Sequence, residues 1–124
     1  MRRDIRLRSG DDFRRVRRDG RSRANSLVVV LAAPRPEGPD EPTRIGVVAG
    51  KRVGDAVVRN RAKRRIREQL RCGYGQLKSG WDIVVIVRAT LAGADSAMLG
   101  DGLWSLLRRL DLVVDASCAA LPSA

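Results

Sequence analysis

Residues 44–71 read RIGVVAGKRVGDAVVRNRAKRRIREQLR, and this stretch decides the fold. Arg44 to Ala49 is short, apolar and β-branched, which predicts a strand. Two glycines and a Lys51-Arg52 pair follow. Asp55 is then placed to cap a helix running from Ala56 to about Arg71, with Gly73 as its stop. Val58, Ala62, Ile66 and Leu70 recur at i, i+4, i+8 and i+12 and give that helix one apolar stripe to bury. Asn60, Arg61, Arg64, Glu68 and Arg71 cluster opposite the stripe, and Arg59, Lys63 and Arg67 run along one flank. Glu68 is in position to pair with Arg64 one turn back. Like charges at i, i+4 repel, so a face this basic calls for a compensating polyanion outside the helix. A charge run is ordinarily a solvated face, but one acid among so many bases argues against that.

Working outward, Ser9 is placed as the N-cap of a first helix, with Asp12 at the third position of a capping box and Gly20 as the stop. Phe13 and Val16 share one face of it. Leu27 to Ala32 (LVVVLA) and Ile83 to Val87 (IVVIV) are continuous apolar runs of strand length. Pro34 to Pro42 (PRPEGPDEP) reads as a flexible acidic loop. Leu99, Leu103, Leu106, Leu107 and Leu110 form the stripe of a last helix, which Gly100 and Gly102 weaken by about 1 kcal/mol each. Trp81 and Trp104 read as core or edge residues and Tyr74 as a turn residue. The chain of 124 residues suits one domain, 1–115, with a frayed tail over 116–124.

The net charge of +11 sits in two blocks. Residues 1–23 carry a net +6 and residues 44–71 a net +8, whereas the chain from Ala92 onward is acidic. Such a balance points to nucleic acid or an anionic surface. The excess is nearly all arginine, whose planar fork suits phosphate; an arginine-rich codon usage explains the same bias with equal weight. The chain has no histidine, which excludes Ser-His-Asp or Cys-His catalysis, a histidine base and a histidine metal site. Cys72 and Cys118 lie far apart with no Cys-x-x-Cys partner, so neither a disulfide framework nor a zinc site is expected, and a reducing cytoplasm fits. No run approaches the ~18–20 apolar residues of a membrane span. Aromatics are only 3% of the residues, which leaves little for base stacking.

The segment quoted above closely resembles the signature of the bacterial ribonuclease P protein subunit. In that family a strand ending in paired basic residues leads into a Gly-x-Ala-Val-x-Arg-Asn-Arg helix. Asp12-Phe13 with Val16 and Gly20 resembles the family's first helix, and Trp81 to Arg88 (WDIVVIVR) its strand after the basic helix. About residues 5–112 are covered. The resemblance implies an α+β fold, a small two-layer α/β sandwich like the second domain of a small-subunit ribosomal protein. Its order would be α-β-β(-β)-α-β-α, with a left-handed crossover through the basic helix, against the usual preference. It implies a protein that assists a catalytic RNA in removing the 5′ leader of precursor tRNA. The products would be a 5′-phosphate on the tRNA and a 3′-hydroxyl on the leader. Mg2+ would be bound mainly by the RNA, with no catalytic and no metal-binding side chain in the protein.

By the same resemblance, Arg59, Asn60, Arg61, Lys63, Arg64 and Arg67 would face the RNA subunit. Phe13, Arg17, Lys51, Arg52 and Arg88 would hold the leader in a groove between the first helix and the sheet, with Phe13 as the stacking residue or as core. The implied partners are the catalytic RNA and precursor tRNA, with no membrane and no protein partner. The sequence departs from the family where a second groove aromatic is common: Arg17 stands there, and the first strand offers Val28, Val30 and Leu31. The rivals are a basic RNA-binding module of ribosomal type and a DNA-binding domain. The first does not require the Gly50-to-Arg61 register, and the second lacks a helix-turn-helix partner before the basic helix.

Overall fold

The computed structural model describes residues 5–114. Seven elements follow one another: α1 (Gly10–Asp19), β1 (Arg21–Ala24), β2 (Val28–Pro34), β3 (Arg44–Ala49), α2 (Ala56–Gly73), β4 (Trp81–Val87) and α3 (Ser96–Arg109). One four-stranded sheet runs in the order β1-β2-β4-β3. β1–β2 and β2–β4 are antiparallel, whereas β3 and β4 are parallel neighbours joined through α2. The class and order are those expected, with β1 filling the optional strand position. The tail expected over 116–124 lies outside the described residues. Among the described residues no helix is long and apolar enough to cross a membrane.

Strand alternation divides the apolar residues between the two sheet faces. Val28, Val30 and Ala32 of β2, Ile45 and Val47 of β3, and Ile83, Val85 and Val87 of β4 face the main core. Ala62, Ile66 and Leu70 of α2 and Leu99, Leu103, Leu106 and Leu107 of α3 close over them. Trp81 and Trp104 are partly buried against this core. On the other face Leu7 and Val16 pack with Ala33 and Val84, flanked by Phe13, Leu31, Val48 and Ile86. Val28 and Val30, expected beside Leu31 on the α1 side, face the main core instead, and Val29 and Leu31 face α1, because side chains alternate along the strand.

Two local expectations are corrected. Ser9 is the N-cap of α1, but its side chain makes no capping bond, and Asp12 is drawn instead into ion pairs with Arg15 and Arg44. The Pro34–Pro42 loop is not free. Arg35 N–H donates to the Gly80 carbonyl at 2.8 Å, Gly80 N–H to the Glu41 carbonyl at 2.7 Å, and the Arg35 guanidinium to the Pro42 carbonyl at 2.7 Å. Gly100 and Gly102 both lie within α3, where a Cβ would come 2.7 Å from Gln69 Oε1 at the first and 2.8 Å from Asn25 Nδ2 at the second.

Candidate nucleic-acid interface

The Asp55 side chain accepts the Val58 N–H at 3.0 Å and starts α2 as its sequence predicts. Burial of Ala62, Ile66 and Leu70 then fixes which face of the helix points outward. Asn60, Arg64, Arg67, Glu68 and Arg71 line an open cleft of about 370 Å³ on that face. Glu68 pairs with Arg71 and not with Arg64, and this hydrogen bond holds its carboxyl below the usual range. Among the described residues Arg61, Lys63 and Arg64 have no ion-pair partner. Arg59 is half-buried, and its Nε is enclosed without a hydrogen-bond acceptor. Arg61 points elsewhere than its wheel neighbours, into a smaller hollow with Val53, Val58, Leu91 and Ala92.

Two further assignments were invisible in the charge run. Arg65 donates to the carbonyls of Leu91, at 3.0 Å, and Ala94, so it ties α2 to the turn after β4 and is not available as a surface cation. Leu7 N–H donates to the Ile45 carbonyl at 2.9 Å, laying the N-terminal segment along the free edge of β3. Arg6 and Arg8 thereby share a cleft with Arg67. Burial, with the charge of Arg6 beside it, lowers the pKa of the Arg67 guanidinium. The two basic blocks of the sequence thus meet on one side of the molecule. The N-terminal block was legible as charge, but no local pattern placed it.

The second surface lies on the opposite face of the sheet. α1 crosses that face over β2 and β4, with Val16 packed against Ala33 and Val84. One flank is held by the ion pairs of Arg15 and Arg44 with buried Asp82. The other flank carries Phe13, whose ring tip rests on Gly46. Beyond α1 the half-buried Val29, Leu31, Val48 and Ile86 form an aliphatic floor, which Ser22 and Ala24 extend by pairing with Leu31 and Val29. Because β3 and β4 are parallel, Lys51, Arg52 and Arg88 all follow the same end of the sheet, and all three are exposed. Arg17 is exposed one turn after Phe13. Phe13 and Arg17 thus lie on α1, whereas Lys51, Arg52 and Arg88 follow the ends of β3 and β4; Gly46, under the Phe13 ring, lines the same cleft as Arg67 of α2.

Among the described residues no group of three carboxylate, thiol or imidazole side chains could hold a metal ion.

A family model described as Ribonuclease P matches residues 1–111 of the chain. The ribonuclease P protein component of Herpetosiphon aurantiacus is 41% identical over 112 residues, covering 90% of this chain and 89% of that one. A solved RNase P protein of Staphylococcus aureus has a TM-score of 0.79 at 28% identity, covering 88% of this chain and 97% of its own. The RNase P protein from Thermotoga maritima has a TM-score of 0.74 at 34% identity, covering 84% and 96%.

Proposed function

The chain belongs to the ribonuclease P protein family, and from that premise we propose a division of labour between its two basic surfaces. It is a ribonuclease P protein component, acting with an RNA subunit in 5′ processing of tRNA. The rival readings as a ribosomal-type module or a DNA-binding domain fall with that assignment. The outward face of α2, with Arg59, Asn60, Arg61, Lys63, Arg64 and Arg67, grips the catalytic RNA. Arg6 and Arg8 extend this grip along Arg67. The groove bounded by Phe13, Arg17, Lys51, Arg52 and Arg88 holds the single-stranded leader of precursor tRNA. The observation that supports this reading is that α2, with Arg61, Lys63 and Arg64 free of ion pairs among the described residues, packs on one face of the sheet and Phe13 of α1 on the other.

The chain's own residues bind and orient; none does the chemistry. Leader removal hydrolyses one phosphodiester, leaving a 5′-phosphate on tRNA and a 3′-hydroxyl on the leader. A protein general base would need a proton acceptor near the RNA, and there is no histidine. Asp55 is committed to its cap and Glu68 to Arg71. Membership of the family supports catalysis by the RNA, in the cytoplasm, with which the missing histidine is consistent; Mg2+ held mainly by the RNA would supply the activation of water. Phosphate contacts supply affinity without sequence reading, and the aliphatic floor leaves Phe13 as the groove's one stacking platform.

The test is separability. Arg64→Ala should weaken assembly with the RNA subunit and flatten log affinity against log salt by roughly 0.7–0.9 per lost phosphate contact. Phe13→Ala should leave assembly and its salt slope unchanged while weakening precursor tRNA binding. A single defect shared by both variants would contradict the division.

A further inference from the structure

Gly46 occupies the middle of β3 and is buried. Its φ is not among the positive values, so any residue could adopt this backbone. The reason for glycine is space. A Cβ here would lie 2.5 Å from Cζ and 2.7 Å from Cε1 of Phe13, and 3.2 Å from Cβ of Leu7. Glycine inside a strand weakens it and marks a close approach of another group, and the approaching group is the Phe13 ring. Along the same side of β3, Arg44 precedes this position and Val48 follows it. The bare backbone of Gly46 is thus a notch between the Arg44–Asp82 ion pair and the aliphatic floor.

We propose that Gly46 is a positioning residue of the leader site: its missing side chain lets the Phe13 ring lie down on the sheet at a fixed height above the floor. The proposal rests on the reading of this groove as the leader site. Leu7 closes the notch from the N-terminal side, so a ring displaced from Gly46 can only swing outward, away from the plane a base would share. Stacking depends on that plane. Phe13 is half-buried in place, packed against the cluster of Leu7, Val16, Ala33 and Val84. No other residue of the floor carries an aromatic face, so no neighbour can replace a displaced Phe13.

The experiment compares holoenzymes assembled with unaltered protein, Gly46→Ala, Phe13→Ala and the double variant. Binding is measured to precursor tRNA with a leader of several nucleotides and with one of one or two. Phe13→Ala should lose roughly 5- to 150-fold in affinity for the long leader only, the range expected for one stacked base. Gly46→Ala should reproduce a large part of that loss, again only with the long leader, and the double variant should be no worse than Phe13→Ala. Assembly with the RNA subunit should be unchanged throughout. To separate displacement from unfolding, Phe13→Leu is placed in the Gly46→Ala background. The shorter side chain should recover the melting temperature but not the long-leader affinity. If Phe13→Ala shows the leader-length effect and Gly46→Ala binds like unaltered protein, Gly46 has no positioning role and the leader site stands. If neither variant distinguishes long from short leaders, the leader-site reading fails and the proposal with it.

Discussion

Asp82, fully buried at the start of β4, accepts both Nε–H and Nη2–H of Arg44 at 2.8 Å. Arg15 of α1 joins the same carboxylate, and the hydrogen bond that Arg44 donates to Asp82 raises the pKa of Arg44. This one carboxylate therefore fastens α1 to the end of the sheet. Without Asp82, Arg15 and Arg44 would keep only the partly exposed Asp12 and Glu37 as counter-charges, and breaking a buried ion pair typically costs about 3–5 kcal/mol. Asp82→Ala should lower unfolding stability by that order in urea titration. Asp40→Ala, on the exposed loop, should stay within about 0.5 kcal/mol.

Arg64 and Arg65 are adjacent in sequence and should behave oppositely. Arg65→Ala removes the donors to two carbonyls and should cost about 1–3 kcal/mol of stability. Its salt dependence of RNA-subunit binding should be unchanged. Arg64→Ala should leave the melting curve in place and reduce that salt slope. Equal effects of the two substitutions would contradict the assignment of Arg65 as a tie.

Gly73 ends α2 against Trp104, and a Cβ there would meet Cζ2 of the indole at 2.4 Å. Helix propensity alone would favour alanine by about 1 kcal/mol. Overpacking outweighs it, so Gly73→Ala should destabilise by about 1–3 kcal/mol and alter Trp fluorescence. Gly75→Ala, with nothing within 4 Å, should leave the fluorescence as it is.

What was legible in the sequence was what is encoded locally. The cap, stripe and stop of α2 lie within one run of residues, and the structure places them as read. β3 is recovered over the same residues because its apolar run is bounded by polar and glycine positions. β1 is a four-residue polar strand, exposed throughout, and has no periodicity to announce it. In β2 a run apolar on both faces carries no alternation, so the side facing the groove could not be chosen. The Asp82 cluster joins residues 38 and 67 positions apart, beyond any sequence pattern. Arg65 looked like its neighbours because its partners are backbone carbonyls, which leave no side-chain signature.

The central claim is that this protein assists an RNA catalyst and does no cleavage itself. It is tested most directly by processing of a precursor tRNA at low magnesium. The reactions contain the cognate RNA subunit alone, rigorously RNA-free protein alone, and both together. The account predicts release of the intact leader only in the combined reaction, with cleavage at the same bond recovered by the RNA alone when magnesium is raised. Cleavage by the RNA-free protein, abolished by Asp55→Ala or Glu68→Gln, would contradict it.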